Sequence, residues 1–395
     1  MLTDSGRIMD EKLDFESLRT GAGIFEVLSK AKALERAGKT IIHFEIGQPD
    51  FPTPSHVKEA AKQALDDNFT GYVAAAGVLE LRQAIQNEIE FTRGFRPTVE
   101  QILVTPGANP GIYFTLRAIV SHHTDEVIYS DPSFPTYGAV LNYLGCKKKP
   151  IPLKEENNFR LDPDDIESAI TKNTKVVIIN SPMNPTGSVM KQDEINQVAE
   201  LAEEYNFYLL TDEIYSKMTY DQKFYSPSIR DQTKERTIIL DGFSKAYNMT
   251  GWRLGYAIAP ERIMDRMGLL ISTTVSCTTS FIQKAGISAL TGPQTDLHTN
   301  MQAFRKRRDA IVKGLNNIPG FSCLTPQGAF YAFPNIMKTG MSSKELADFL
   351  LNNAGVACLP GTIFGANGEG YLRFSYATDV TTIQQAISQI KEALA

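Results

Sequence analysis

Lys245 stands in residues 241–256, Asp-Gly-Phe-Ser-Lys-Ala-Tyr-Asn-Met-Thr-Gly-Trp-Arg-Leu-Gly-Tyr, just past the apolar stretch 237–240. Arg253 follows on the far side of Gly251. A lysine amine is nucleophilic only when neutral, and desolvation beside a second cation moves it toward that state. A guanidinium suits a phosphate, which it grips through two parallel hydrogen bonds. A Schiff-base lysine next to a phosphate anchor suggests pyridoxal 5′-phosphate. Taken alone, the segment is equally compatible with a surface lysine after a buried strand.

Further polar residues follow other apolar runs. Thr105-Pro-Gly107-Ala108-Asn109 comes after 101–104, and Ser130-Asp-Pro-Ser-Phe134 after 126–129. Asn180-Ser-Pro-Met-Asn184-Pro-Thr-Gly187 comes after 175–179, and Thr211-Asp212-Glu-Ile-Tyr215 after 207–210. Each has an ordinary reading: a turn at Asn184–Gly187, a helix N-cap at Asp212, a tight strand-to-helix turn at Gly107–Asn109, a core ring at Phe134. Exposed amides at a helix start also cradle phosphate. Their joint placement after five strands is what favours one shared site, because ligands of open parallel sheets bind at the carboxyl ends of strands.

The elements that must position them read as follows. Residues 101–105, 126–129, 175–180, 207–211, 237–240 and 254–259 are continuous apolar runs, as expected of strands covered on both faces. Between the third and fourth, Ile195, Val198, Ala199, Ala202 and Tyr205 keep helical spacing. Strands alternating with helices predict a mainly parallel α/β sheet. The C-terminal part differs: a helix over 301–315, a hairpin-like stretch at 328–333, a helix over 343–352, a strand at 371–375 and a closing helix from 381. This predicts a smaller α+β domain of residues 1–47 and 289–395 beside a large domain of 48–288. The helix over 25–37 is expected to pack on the smaller domain, and the basic run Arg305-Lys306-Arg307-Arg308 to be a solvated helix face.

The 395 residues exceed one ordinary core, which agrees with two domains. The net charge of -5 argues against nucleic-acid binding. No apolar run reaches the roughly 18 residues of a membrane span, and the N-terminus shows no secretion signal. Cys146, Cys277, Cys323 and Cys358 lack the paired spacing of a disulfide framework or zinc site, and read as reduced cytoplasmic thiols. His122-His123 reads as a solvated turn, so no metal is expected.

Together these signatures resemble the class I/II aminotransferase family of the fold-type I pyridoxal-phosphate enzymes. The resemblance runs from about Gly21 to the C-terminus. It is carried by Ile46-Gly-Gln-Pro-Asp-Phe-Pro-Thr-Pro54, Tyr72 with Gly77 and Leu81-Arg82, Asn184–Gly187, Asp212–Tyr215, Ser244-Lys245 with Gly251-Trp-Arg253, and Leu372-Arg-Phe-Ser375. It implies a seven-stranded, mainly parallel sheet sandwiched by helices. It implies that Lys245 holds the cofactor covalently and shuttles the reacting proton, and that Asp212 keeps the pyridine nitrogen protonated. Asn184 and Tyr215 would bond the phenolic oxygen, and Phe134 would stack on the ring. Arg253, Gly107, Ala108, Asn109 and Ser244 would hold the phosphate, and Arg373 with the Gly47 amide the substrate carboxylate. Tyr72 would reach the phosphate of a neighbouring subunit, making a homodimer with shared sites. Gly242 departs from the family, where a phosphate-binding serine is common.

The expected reaction is transfer of an amino group from an L-amino acid to a 2-oxo acid, in ping-pong fashion through a pyridoxamine form. The alternative is a β-lyase on the same fold. A transcription regulator of this fold needs a DNA-binding module, and the twenty residues before Gly21 are too few. Ile24, Phe25 and Tyr331 are candidates for the side-chain pocket, compatible with aspartate, alanine or hydrophobic substrates.

Overall fold

The computed structural model describes residues 22–395. Seven strands form one sheet in the order β2-β8-β7-β6-β5-β3-β4. They are β2 (Ile102–Thr105), β3 (Glu126–Asp131), β4 (Lys147–Pro152), β5 (Thr174–Asn180), β6 (Tyr208–Asp212), β7 (Thr237–Gly242) and β8 (Gly255–Ile258). All pairings are parallel except those of β8, which runs antiparallel to both β2 and β7. Every residue of β2, β3, β7 and β8 is buried, the two-sided cover that makes such strands read as unbroken apolar runs.

The sixfold strand pattern of the sequence omits β4. Its residues Lys-Lys-Lys-Pro-Ile-Pro are mostly exposed, and lysine and proline are how an edge strand avoids pairing with another chain. That same composition hides it from a search for apolar runs.

Helices cover the sheet. Gln192–Glu204 buries Ile195, Val198, Ala199, Leu201 and Ala202, and the Glu194 carboxylate accepts the Lys191 amide at 2.8 Å to close its first turn. Ser55–Asp66, Leu79–Arg93, Glu261–Thr274 and Ser280–Thr291 complete the layers. Two hydrophobic clusters lie on either side of β2, β7 and β8. Truncating a side chain such as Leu240 there costs about 2–5 kcal/mol.

A further cluster gathers Phe304, Ile311, Leu315, Phe330, Leu346, Phe374, Ile383 and Ile390, together with Tyr215, Met218 and Tyr220 from the loop after β6. Here β9 (Tyr331–Ala332), β11 (Leu359–Pro360) and β12 (Leu372–Ser375) make an antiparallel sheet ordered β11-β12-β9, and β1 (Ile42–His43) pairs in parallel with β10 (Val356–Ala357). The stretch at 328–333 is therefore not a hairpin; Tyr331 pairs with Ser375, far along the chain. The helix Ser343–Phe349, capped by Ser342 and Glu345, runs on into a wider turn over Leu350–Ala354. Helix Ala22–Arg36 packs Ala31, Val27 and Leu34 against Leu351 and Ala357, as expected.

The basic run on helix Thr295–Leu315 is solvated only in part: Arg305 and Lys306 are exposed as expected, whereas Arg307 and Arg308 turn inward. Arg307 and Arg308 are each only 6% exposed. Arg307 grips Asp50 with two bonds of 2.6 and 2.8 Å and lies 4.5 Å above the Phe51 ring. Arg308 pairs with Asp221 and covers the Tyr220 ring at 4.7 Å. The charges are inward because carboxylates and ring faces meet them there. Among the described residues, no helix is long and apolar enough to cross a membrane.

Candidate active site

One cavity of about 360 Å³ opens at the carboxyl ends of β5, β6 and β7. Its wall includes Gly47, Ala108, Asn109, Phe134, Asn184, Asp212, Tyr215, Ser244, Lys245, Arg253 and Arg373, with Ile24, Phe25 and Tyr331 at the side. The segments after five sheet strands thus meet, as their spacing predicted. Arg253 arrives by a different route. Because β8 is antiparallel, its first residue Gly255 lies opposite Thr105 and Gly242, the last residues of β2 and β7. The arginine preceding that strand is delivered to the same edge. It adopts left-handed backbone, with φ 55°.

Glycines set the spacing at this edge. A Cβ on Gly107 (φ +91°) would fall 2.4 Å from the Arg253 guanidinium, one on Gly255 2.6 Å from the Ala108 amide, and one on Gly242 2.9 Å from Gly255. At Gly242, β7 and β8 touch backbone to backbone. Helix Ala108–Ile119 starts at Gly107 with no side-chain cap, and the Arg253 guanidinium lies beside that glycine. Free amides, the positive end of a helix and a guanidinium form a cradle for a phosphate.

Asp212 ends β6 deep in the cavity wall. No helix follows it, so it is not an N-cap. It accepts from the Tyr137 hydroxyl at 2.6 Å and the Ile214 amide at 3.3 Å. Burial pushes its carboxyl up to about 6, opposed by those bonds and reinforced by the nearby charge of Asp241. Burial pushes the Lys245 amine down to about 8, helped by the Arg373 and Arg253 cations. Its Nζ donates to the Gly47 carbonyl at 2.6 Å. Gly47 must lack a side chain: a Cβ would lie 2.3 Å from the Tyr331 hydroxyl, which itself bonds the Tyr215 hydroxyl at 2.6 Å.

Arg373 is 1% exposed, yet no carboxylate lies within ion-pair reach among the described residues. Its Nη2 donates to the Glu45 carbonyl, its Nη1 approaches Asn184 Oδ1 at 3.5 Å, and its Nε has no partner. Burial lowers its pKa. A buried guanidinium that lines a cavity without a direct carboxylate partner keeps hydrogen-bonding capacity for an incoming anion. Asn184 is anchored by its own amide on Asn180 Oδ1 at 3.0 Å, while Asn180 Nδ2 holds the Asp212 carbonyl at 3.1 Å.

Two residues stand apart. Gly107 shapes the cradle from behind, and Tyr72 is 90% exposed, outside this cavity. Tyr137 was missed by the sequence reading. The available signal was a second aromatic three residues after Phe134, on the first turn of helix Pro135–Leu144.

A phosphate cradle, a lysine shifted toward neutrality and a buried acid, placed at the strand ends of an α/β sheet, define a site fitted to pyridoxal 5′-phosphate. Residues 39–390 match the family model "Aminotransferase class I and II". The chain is 41% identical over 371 residues to the aspartate aminotransferase of Pyrococcus horikoshii, covering 93% of this chain and 94% of that one. It is 38% identical over 358 residues to aromatic-amino-acid aminotransferase 2 of Thermococcus litoralis, covering 90% and 92%. The structure of an alanine aminotransferase from Pyrococcus furiosus superposes with a TM-score of 0.91 at 32% identity, covering 98% and 99%. The chain belongs to the class I and II aminotransferases. It is an amino-acid aminotransferase with pyridoxal 5′-phosphate as its cofactor.

Proposed function

We propose that Lys245, Asp212 and Tyr215 form the catalytic group and that Arg373, with Gly47 and Asn184, receives the α-carboxylate of the amino acid. When bound, the cofactor supplies an aldehyde carbon for the amino group and an electron-accepting ring. Asp212 would hold the ring nitrogen, Phe134 the ring face, Asn184 and Tyr215 the phenolic oxygen. Gly107, Ala108, Asn109, Ser244 and Arg253 would hold the phosphate. The Lys245 amine moves the proton at the substrate α-carbon, which its depressed basicity suits near neutral pH. Arg373 fixes the carboxylate so that this carbon faces Nζ; a charged bond of that kind contributes roughly 1.5–3 kcal/mol.

The observation that carries the assignment is the pairing, in one cavity, of the buried Arg373, which has no carboxylate in ion-pair reach among the described residues, with the basicity-depressed Lys245. The amino donor leaves as a 2-oxo acid, and an acceptor such as 2-oxoglutarate or pyruvate takes the amino group in a second half-reaction. Relatives bear aspartate, aromatic and alanine names, so a panel of donors against both acceptors identifies the substrate. Lys245→Ala is expected to abolish turnover; full activity in that variant rejects the assignment.

The cluster around Phe304 and Phe374, built mostly from residues beyond 300 with Tyr215, Met218 and Tyr220 joining it, supports a division into a large domain of 48–288 and a small domain of 1–47 and 289–395; residues 1–21 lie outside the described residues. The exposed Tyr72 supports a homodimer in which it reaches the partner's phosphate. Sedimentation should then give about twice the chain mass of 43.7 kDa. Four free thiols support a cytoplasmic setting.

A further inference from the structure

Behind Arg373 lies a second buried charge that takes no part in the catalytic group. Glu45 follows β1 and is fully buried. Its backbone carbonyl receives Arg373 Nη2, and its carboxylate Oε1 lies 2.7 Å from His43 Nδ1. Its other oxygen, Oε2, has no partner, and neither has the Nε of Arg373. The opposite ring nitrogen of His43, Nε2, is 3.0 Å from Glu35 on helix Ala22–Arg36. Side-chain contacts therefore run from the surface through Glu35 and His43 to the Glu45 carboxylate, and the backbone carbonyl of the same residue holds the Arg373 guanidinium.

We propose that Glu45 is a positioning and charge-balancing residue for Arg373, and that His43 takes up a proton from solvent when a substrate carboxylate binds. This rests on the assignment of Arg373 as the carboxylate site. The balance is simple. Before binding, the Glu45 carboxylate lies near enough to offset the Arg373 cation electrostatically, although the two groups do not pair directly. A bound carboxylate leaves one excess negative charge in a region of low dielectric, where an uncompensated charge is expensive. The imidazole, with 29% of its side chain exposed, is the group in contact with Glu45 that can take a proton near neutral pH. With both ring nitrogens then donating, one proton satisfies Glu45 and Glu35 together.

The groups facing His43 are Glu35, itself 2.8 Å from Lys32, and Glu45. Across the β1–β10 pairing its neighbour is Ala357, and Cys358 and Arg373 face Glu45 from the other side. Burial works against the charged imidazole, but the bonds to the two carboxylates outweigh it, and its pKa is raised. Linkage then fixes the sign. A group whose pKa is higher in the complex favours binding fully below its free pKa, and loses that contribution as pH rises through the bound value. Carboxylate affinity should fall above neutrality by up to about tenfold per pH unit, the limit for one proton.

The test uses the holoenzyme with 2-oxoglutarate, titrated calorimetrically in buffers of different ionisation enthalpy between pH 6 and 9. Lys245 and its neighbours also titrate, so the diagnostic quantity is the difference from His43→Gln. Wild type should take up up to one more proton per site than this variant, and Glu45→Gln should bind with affinity nearly independent of His43. Equal proton uptake in wild type and His43→Gln overturns the proposal. As a measurement free of folding effects in variants, the His43 imidazole resonance in wild type should shift to a higher pKa with 2-oxoglutarate; an unchanged value also overturns it. Binding that survives Arg373→Lys undiminished would instead refute the carboxylate-site assignment beneath it.

Discussion

At the scale of single residues, the cavity is a set of ionisations displaced by burial. Lys245 is the clearest case. In cofactor-free protein its labelling by an amine reagent such as trinitrobenzenesulfonate should rise through about pH 8, below the ordinary lysine range. Arg373→Leu removes a repelling cation and should move that midpoint upward. Midpoints that coincide in the two proteins would rule out the Arg373 cation as a cause of the depressed basicity. Tyr137 acts through Asp212. Tyr137→Phe removes a 2.6 Å bond to the carboxylate, so Asp212 should become still less acidic and the acid limb of kcat/KM should move to higher pH. A charged bond of about 1.5–3 kcal/mol corresponds to roughly 10- to 150-fold in cofactor affinity, measured by equilibrium dialysis. Lys245, Asp212 and Asn184 were singled out in the sequence because each follows an apolar run, and Arg373 through the family resemblance; the fold brings all four to one cavity. Tyr137, His43 and Glu45 were not, because their roles depend on partners brought together only by the fold.

Among the elements, the antiparallel β8 does most to build the site. Strand direction cannot be read from an apolar run, so the sequence located β8 without showing why its leading arginine belongs with other strands' trailing ends. The seam it makes with β7 and helix Ala108–Ile119 is backbone on backbone. Gly255→Ala puts a methyl 2.6 Å from the Ala108 amide. The variant should lose about 1–3 kcal/mol of stability from overpacking, and bind cofactor more weakly because the cradle must open. Thermal melts with and without added pyridoxal 5′-phosphate separate the two effects. If Gly255→Ala melts like wild type in both, the seam has room for a methyl after all. The edge strand β4 was illegible for a different reason: its lysines serve exclusion of neighbours rather than packing.

For the whole molecule, the link between the large sheet and the cluster around Phe304 is polar as well as apolar. Arg307 reaches from helix Thr295–Leu315 to Asp50, between the rings of Phe51 and Phe304. Composition alone marks such a run as solvated, and only the fold shows the carboxylates waiting for it. Arg307→Ala should cost about 1–3 kcal/mol, since Asp50 keeps partial access to water. Chemical denaturation with probes in each core should show the two transitions drawing apart, whereas a single coincident transition would argue against this linkage.

Asp50 lies on a short ribbon that also carries Glu45 and Gly47. Along six consecutive residues this ribbon meets Arg373, Lys245 and Arg307 in turn. A shift of this ribbon would change the hydrogen bonds of the Lys245 amine and the Arg373 guanidinium together. The proposed nucleophile and the proposed substrate anchor thus hang on carbonyls only two residues apart.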